Sequence, residues 1–232
     1  MMAIKKHIPN SLTACNLFCG CVGIWAVFQG RMDWAAYAVW IAAVFDFLDG
    51  FAARLLKVQS AIGKELDSLA DMVTFGALPA FIMFSLLQAQ LTHPYLPFLG
   101  FSIAVFSAFR LAKFNIDTRQ SDQFIGVPTP ANALLISGLA ISLLDPQSVY
   151  QVLNTGSILL IITLLMSYLL VAELPLLALK FKSFAWAGNQ SRYILVVLSI
   201  AELAIWQVQG IPLLIVTYIV LSVGVYLFQR KS

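Results

Sequence analysis

Charge is what this sequence has least of. Only 11% of its 232 residues are Asp, Glu, Lys or Arg, 60% are hydrophobic, and the mean hydropathy is +0.87. A soluble domain carries about 25% charged residues, and no stretch here is polar enough to fold in water alone. Separate soluble domains are therefore excluded. The basic residues form neither a run nor a face, so the net charge of +3 gives no reason to expect nucleic acid as a partner. Internal repeats and low-complexity segments are not visible. Cysteine is scarce as well: Cys15, Cys19 and Cys21 all fall in the first apolar run. Cys15 and Cys19 share a helical face and Cys21 points away, which speaks against a metal site. They read as small polarizable packing residues in a reducing compartment.

What is present is a series of apolar runs, each long enough to cross about 30 Å of hydrocarbon as a helix. They fall at 11–29, 33–53, 66–90, 96–114, 128–144, 152–174, 192–208 and 211–229. The expected fold is an all-α polytopic membrane bundle of eight helices, one domain over 1–232. Pro128 and Pro130 suit a first helical turn, whereas Pro79 and Pro175 are expected to kink the spans they touch. The N-terminal run is taken as a retained first helix, because no small-residue cleavage site closes it.

The basic residues set the topology. Lys5, Lys6, Arg54, Lys57, Lys64, Arg110, Lys113, Arg119, Lys180, Lys182, Arg192, Arg230 and Lys231 all fall on one side of the eight spans. Only Arg31 falls on the other. Both termini, and the face carrying most of the polar residues, are thus expected to be cytoplasmic in an inner or plasma membrane.

Against this background stand four acids in the register Asp46-x2-Asp49-Gly50-x2-Ala53-Arg54-x8-Gly63-x3-Asp67-x3-Asp71. A carboxylate in a membrane segment is costly and marks a functional site by default. Asp46 and Asp49 are three apart and Asp67 and Asp71 four apart, so each pair shares a helical face. Two such helices facing each other converge four carboxylates on one point. Oxygen-only ligands select hard cations such as Mg²⁺ or Mn²⁺, and four carboxylates suffice for two ions. Such a pair of ions clamps the attacking and leaving oxygens of a displacement at phosphorus. Gly50 permits close approach of a substrate to the backbone, Arg54 can reach a phosphate with its fork, and Gly63 is expected in the loop, freeing the turn that re-enters the membrane.

Taken singly, each residue has a plainer explanation. One intramembrane Asp can serve as a structural partner or a proton relay, Arg54 as an interfacial anchor, and Gly50 as a helix-packing position. Taken together, eight specified residues in one register arise by chance on the order of 10⁻¹⁰ per start position at average usage.

The stretch from Asp46 to Asp71 resembles the signature of the CDP-alcohol phosphotransferase family at all eight positions. The resemblance implies a metal-dependent transfer from a CDP-linked donor to an alcohol with release of CMP. It implies that Asp46, Asp49, Asp67 and Asp71 hold two divalent ions and that Asp71 is also the base on the acceptor hydroxyl. Gly50, Ala53, Arg54, Ser60 and Gly63 would contact the CDP-lipid. Ile8-Pro9-Asn10-Ser11-Leu12-Thr13 resembles the family's entry to the first helix, so Asn10 and Thr13 would line the nucleotide pocket.

Within the family the chain resembles the phosphatidylserine synthase branch in its eight spans, in Arg110-Leu111-Ala112-Lys113-Phe114-Asn115, and in Gly126-Val127-Pro128-Thr129-Pro130-Ala131. Lys113 departs from the Arg usual there. This resemblance covers about the first 140 residues. It implies CDP-diacylglycerol and L-serine as substrates, with Arg110, Lys113 and Asn115 near the serine carboxylate, a catalytic core over about 8–175, two further helices over about 192–229, and a homodimer. The sibling alternative uses glycerol 3-phosphate or an inositol compound, which would call for more cationic residues than Arg110, Lys113 and Arg119 offer. A cation transporter is the alternative from another class. It would place its ligands near the midplane and show two related halves, whereas these acids lie near one face beside Arg54 and Ser60.

Overall fold

The computed structural model describes residues 7–58, 60–117, 123–177, 185–186 and 189–229. Its helices are α1 (His7–Phe28), α2 (Met32–Leu56), α3 (Ala61–Asp71), α4 (Leu78–Gln90), α5 (Ser102–Ile116), α6 (Thr129–Ser142), α7 (Gly156–Val171), α8 (Gln190–Trp206) and α9 (Gly210–Gln229). Helical continuity joins α3 to α4 through a π segment, Met72–Ala77, and a 3₁₀ turn, Leu96–Phe101, leads into α5. Among the described residues four stretches are long and apolar enough to cross a membrane: His7–Phe28, Ala61–Gln90, Leu96–Ile116 and Gln190–Phe228. Thr129–Ser142 and Gly156–Val171 are shorter apolar helices. The protein is thus a membrane helix bundle, as its composition requires.

The core is built mainly on α4 and α6. Leu78, Ile82, Met83 and Leu87 of α4 and Ile136, Leu139 and Ala140 of α6 are buried, together with Ala35, Val39 and Ala42 of α2. Small residues on α1 and α2 let these two helices lie along each other, the close approach that drives packing where lipid removes any hydrophobic contrast. A Cβ at Gly23 would come 3.0 Å from the Ala38 Cβ. Between α2 and α6 the Trp40 indole donates to Ser137 Oγ at 3.0 Å, which satisfies two polar groups with no water to bond.

Local chemistry explains the breaks. Lys57, with φ 52°, ends α2 in the left-handed region, and its N–H reaches back to the last carbonyls of that helix. Ser60 then caps α3, accepting from the Gly63 N–H at 3.0 Å. Gly63 accordingly sits inside the first turn of α3 and not in the loop. What it supplies is space, since a Cβ would stand 2.8 Å from Ser60 Oγ and 3.0 Å from Asn10 Oδ1. The irregularity expected of Pro79 takes the form of the π segment ahead of it, because proline offers no N–H to the carbonyls one turn back. Pro128 and Pro130 open α6 as expected.

Pro175 kinks no helix. It lies in a two-stranded antiparallel ribbon, β1 (Gln123–Ile125) with β2 (Pro175–Leu177), where it pairs with Ile125. Gly126 follows β1 at φ +76°, and a Cβ there would strike the Leu170 carbonyl at 2.6 Å. Helix α9 secures β2 from outside: Tyr218 Oη donates to the Leu177 carbonyl at 3.1 Å, and the Leu177 N–H donates to Ser222 Oγ at 3.3 Å. The three cysteines are free, and Cys15 and Cys21 are exposed on α1 and do not pack in the core. Seven of the basic residues used for topology, Lys5, Lys6, Arg119, Lys180, Lys182, Arg230 and Lys231, lie outside the described residues.

The contact of α1 with the π segment is the most sensitive point of this packing. A Cβ on Gly20 would collide with Thr74 Oγ1 and stand 3.0 Å from the Thr74 Cα, which cannot swing away. Gly20→Ala is expected to destabilise the purified protein by about 1–3 kcal/mol, read as a lower melting temperature in detergent. Gly224→Ala, surrounded by open space, should leave the melting temperature unchanged; equal effects would show that this contact is not tight.

Candidate active site

Where α1, α2 and α3 meet, the bundle opens into a cleft of about 540 Å³. Helix α2 contributes Asp49, Gly50 and Ala53, α1 contributes Pro9, Asn10 and Thr13, and the α2–α3 turn with α3 contributes Ser60, Gly63, Lys64 and Asp67. The four-residue spacing on α3 aligns Gly63, Asp67 and Asp71 on the face turned towards α2. The Asp46, Asp49 and Asp67 carboxylates come together, with one oxygen of each lying within 4.8 Å of the others. Asp71 completes the group, since its carboxyl lies against that of Asp46.

The acids are held by neutral donors. Thr13 Oγ1 donates to Asp49 Oδ2 at 2.6 Å, and Asn16 Nδ2 donates to Asp71 Oδ1 at 3.3 Å. Asn16 is in turn fixed through its backbone, whose carbonyl accepts from Thr74 Oγ1 at 3.1 Å. Asp49 is only 6% exposed, and Asp46, Asp67 and Asp71 are half-buried. Among the described residues no Lys or Arg pairs with any of the four; the ion pair present is Arg31–Asp33, at the far end of α2. Four carboxylates close together, oxygen donors only, and no ion-paired base to balance them make a donor set that fits hard divalent cations.

The expected donor-side residues divide. Asn10, Thr13, Gly50, Ala53, Ser60 and Gly63 all line the cleft, and Gly50 leaves open space where a Cβ would project. Arg54 is exposed and lies outside the lining. Two residues of the site were not foreseen: Asn16, for which the signal was an amide in the middle of an apolar helix, and Lys64, which the sequence marked only as a topology charge although it sits one residue past Gly63.

The expected acceptor-side residues divide too. Arg110 is buried, 7% exposed, and close enough to Asp71 for the two to interact electrostatically. Its Nη1 donates to Thr129 Oγ1 at 3.3 Å and its Cζ lies 5.6 Å from the Phe114 ring centroid. Lys113 is exposed and, together with Arg110, lines a second, small cleft beside Asp117 and Glu173. Asn115 ties α5 to α3, donating from Nδ2 to Ser68 Oγ at 2.9 Å while its carbonyl accepts from Lys64 Nζ at 3.2 Å. Of the three, only Arg110 stands beside the acids.

A helical membrane bundle with carboxylates converging at an open cleft is an arrangement suited to metal-assisted transfer at phosphate esters. The chain belongs to the CDP-alcohol phosphatidyltransferase family, whose model matches residues 6–169. It is 30% identical over 226 residues to a CDP-diacylglycerol–serine O-phosphatidyltransferase of Helicobacter pylori, covering 95% of this chain and 91% of that one. It is 32% identical over 179 residues to the protein of the same name from Methanocaldococcus jannaschii, covering 75% of this chain and 76% of the other. To that of Bacillus subtilis it is 36% identical over 126 residues, covering 54% and 70%.

Crowded carboxylates that bind cations should couple stability to the ion. With Mn²⁺ at a hundredfold excess over its dissociation constant, the folded state gains about 2.7 kcal/mol. The melting temperature of the purified protein is therefore expected to rise with Mn²⁺ and fall with chelator. Asp46→Asn or Asp67→Asn should flatten that dependence. An Mn²⁺-independent melting temperature in the wild type would count against a cation site.

Proposed function

We propose that the protein transfers the phosphatidyl group of CDP-diacylglycerol to the hydroxyl of L-serine, giving phosphatidylserine and CMP. The observation that carries this reading is the convergence of Asp46, Asp49 and Asp67, with Asp71 against Asp46, where Asp49 and Asp67 line a cleft together with Asn10, Gly50 and Ser60, and with Arg110 near Asp71. The relatives that carry the serine transferase name align along most of the chain and agree with it. The working unit is one domain over 1–232 with a catalytic core over about 8–175 and two added helices over about 192–229. It spans the membrane eight times, with both termini and the cleft on the cytoplasmic side where CDP-linked donors are made, and it works as a homodimer.

In this reading Asp46, Asp49, Asp67 and Asp71 would hold two Mg²⁺ or Mn²⁺ ions, which would supply positive charge to offset that of the diphosphate and of the departing CMP. Gly50, Ala53 and Gly63 leave room for the nucleotide against the backbone. Asn10, Thr13 and Ser60 offer it hydrogen bonds, and Arg54 and Lys64 bring positive charge to the phosphates. Asp71 takes the proton of the serine hydroxyl, with Asn16 holding its other oxygen in place. The serine oxygen attacks the phosphorus bearing the diacylglycerol, and the bond from that phosphorus to the CMP oxygen breaks. Arg110 meets the serine carboxylate, Lys113 adds positive charge at the approach, and Asn115 fixes α5 against α3.

Purified protein given CDP-diacylglycerol, Mn²⁺ and a panel of alcohols is expected to release CMP fastest with L-serine; faster release with glycerol 3-phosphate or an inositol phosphate would overturn the acceptor assignment. Asp71→Asn should lose turnover while still binding the CDP-lipid. Arg110→Ala should raise KM for serine with little change in KM for the donor, and equal shifts in both constants would remove Arg110 from the acceptor side.

A further inference from the structure

Four buried polar atoms on α5 and α6 have no hydrogen-bond partner among the described residues: Ser107 Oγ, Arg110 Nε, and both Nδ2 and Oδ1 of Asn132. Asn132 is 0% exposed, Ser107 0% and Arg110 7%. An amide buried without a partner is costly, and a membrane bundle has no bulk water at hand to relieve it. These groups are also close in the fold. Ser107 and Arg110 are one turn apart on α5, and Thr129 and Asn132 one turn apart on α6. The Arg110–Thr129 hydrogen bond at 3.3 Å joins the two helices at that level. Ser107 packs beside Gly76 of the π segment, five residues beyond Asp71. The same arginine is near enough to Asp71 and to Tyr218 of α9 to interact electrostatically with both.

The unmet bonds specify a ligand. Arg110 Nε–H and the Asn132 amide N–H groups need an acceptor, whereas Asn132 Oδ1 needs a donor. A carboxylate and an ammonium on neighbouring atoms supply both. A phosphorylated alcohol brings a dianion to the guanidinium and can offer Asn132 Oδ1 only a neutral hydroxyl, a weaker partner than an ammonium. We propose that Asn132 is a specificity-determining residue for the acceptor: its amide, with Arg110, receives the carboxylate and the ammonium of an α-amino acid beside Asp71. This rests on the reading of Arg110 as an acceptor-side group. It adds a residue that discriminates a zwitterion from a simple anion or cation.

The test compares three acceptors by CMP release: L-serine, 3-hydroxypropanoate, which lacks the ammonium, and ethanolamine, which lacks the carboxylate. Asn132→Leu is expected to raise KM for serine about tenfold, the equivalent of one hydrogen bond of roughly 1.4 kcal/mol, with KM for CDP-diacylglycerol within twofold. Its preference for serine over 3-hydroxypropanoate should shrink, because the group facing the ammonium is gone. Asn132→Gln should retain part of the discrimination, which guards against a leucine variant that merely packs badly. If Asn132 faces only water, Asn132→Leu raises the melting temperature and leaves KM for serine unchanged, and the proposal falls. If Arg110→Ala also leaves KM for serine unchanged, the acceptor-side reading falls with it. If Arg110→Ala raises it and Asn132→Leu does not, only the role of Asn132 is lost.

Discussion

Mutual repulsion of carboxylates inside a low-dielectric bundle is the constraint to which the rest of this structure answers. Two unit charges 4.8 Å apart repel by about 3 kcal/mol at an effective dielectric constant of 20, and Asp46, Asp49 and Asp67 form three such pairs. Asp71, against Asp46, adds another. Local contacts offset only part of this cost. Thr13 and Asn16 each supply one neutral hydrogen bond, Asp46 and Asp71 lie against each other, and Arg110 stands near Asp71, but among the described residues no Lys or Arg forms an ion pair with any of the four. Burial of uncompensated charge on this scale is retained where a cation resolves it, and a cation held there is an electrophilic anchor for phosphate oxygens.

Several features follow from holding those four groups in place. The left-handed Lys57 and the Ser60 cap set the turn that brings α3 back alongside α2. Gly63 clears space at the cleft wall for Asn10 and for its own cap. The π segment begins at the residue after Asp71, and its Thr74 reaches back to the backbone of Asn16, which holds Asp71. A widened helical turn next to a functional side chain is a recurrent association. Here it sits between the acids and the α5–α6 interior, where Arg110, Ser107 and Asn132 lie. The π segment thus lies between the acidic cluster and a buried polar region of the bundle.

Much of this was legible from residue types alone. Apolar runs located the helices, since in lipid only a helix or a closed barrel satisfies every backbone group. The acid spacing placed Asp46 and Asp49 on one helical face and Asp67 and Asp71 on another, and the structure brings the carboxylates of Asp46, Asp49 and Asp67 together. Other features were not legible for physical reasons. The β1–β2 ribbon is three residues per strand and depends on Tyr218 and Ser222 of a helix some forty residues further on. Pro175 could not be told from a helix kink without that partner. Gly63 looked like a loop residue because glycine signals turns, whereas its role is steric. Arg110, Lys113 and Asn115 form one sequence motif, yet the helical turn sends the first inward beside Asp71, the second to the surface, and the third to Ser68.

Where divalent ions bind decides between a catalytic and a merely structural role for the four aspartates. The most direct measurement is anomalous diffraction from crystals of the protein grown with Mn²⁺ and CDP-diacylglycerol, recorded on both sides of the manganese absorption edge. Two peaks among the carboxylates of Asp46, Asp49, Asp67 and Asp71, each within bonding distance of their oxygens, are predicted. Ordered donor density without manganese among those four residues, or manganese bound elsewhere in the bundle, would contradict the catalytic role.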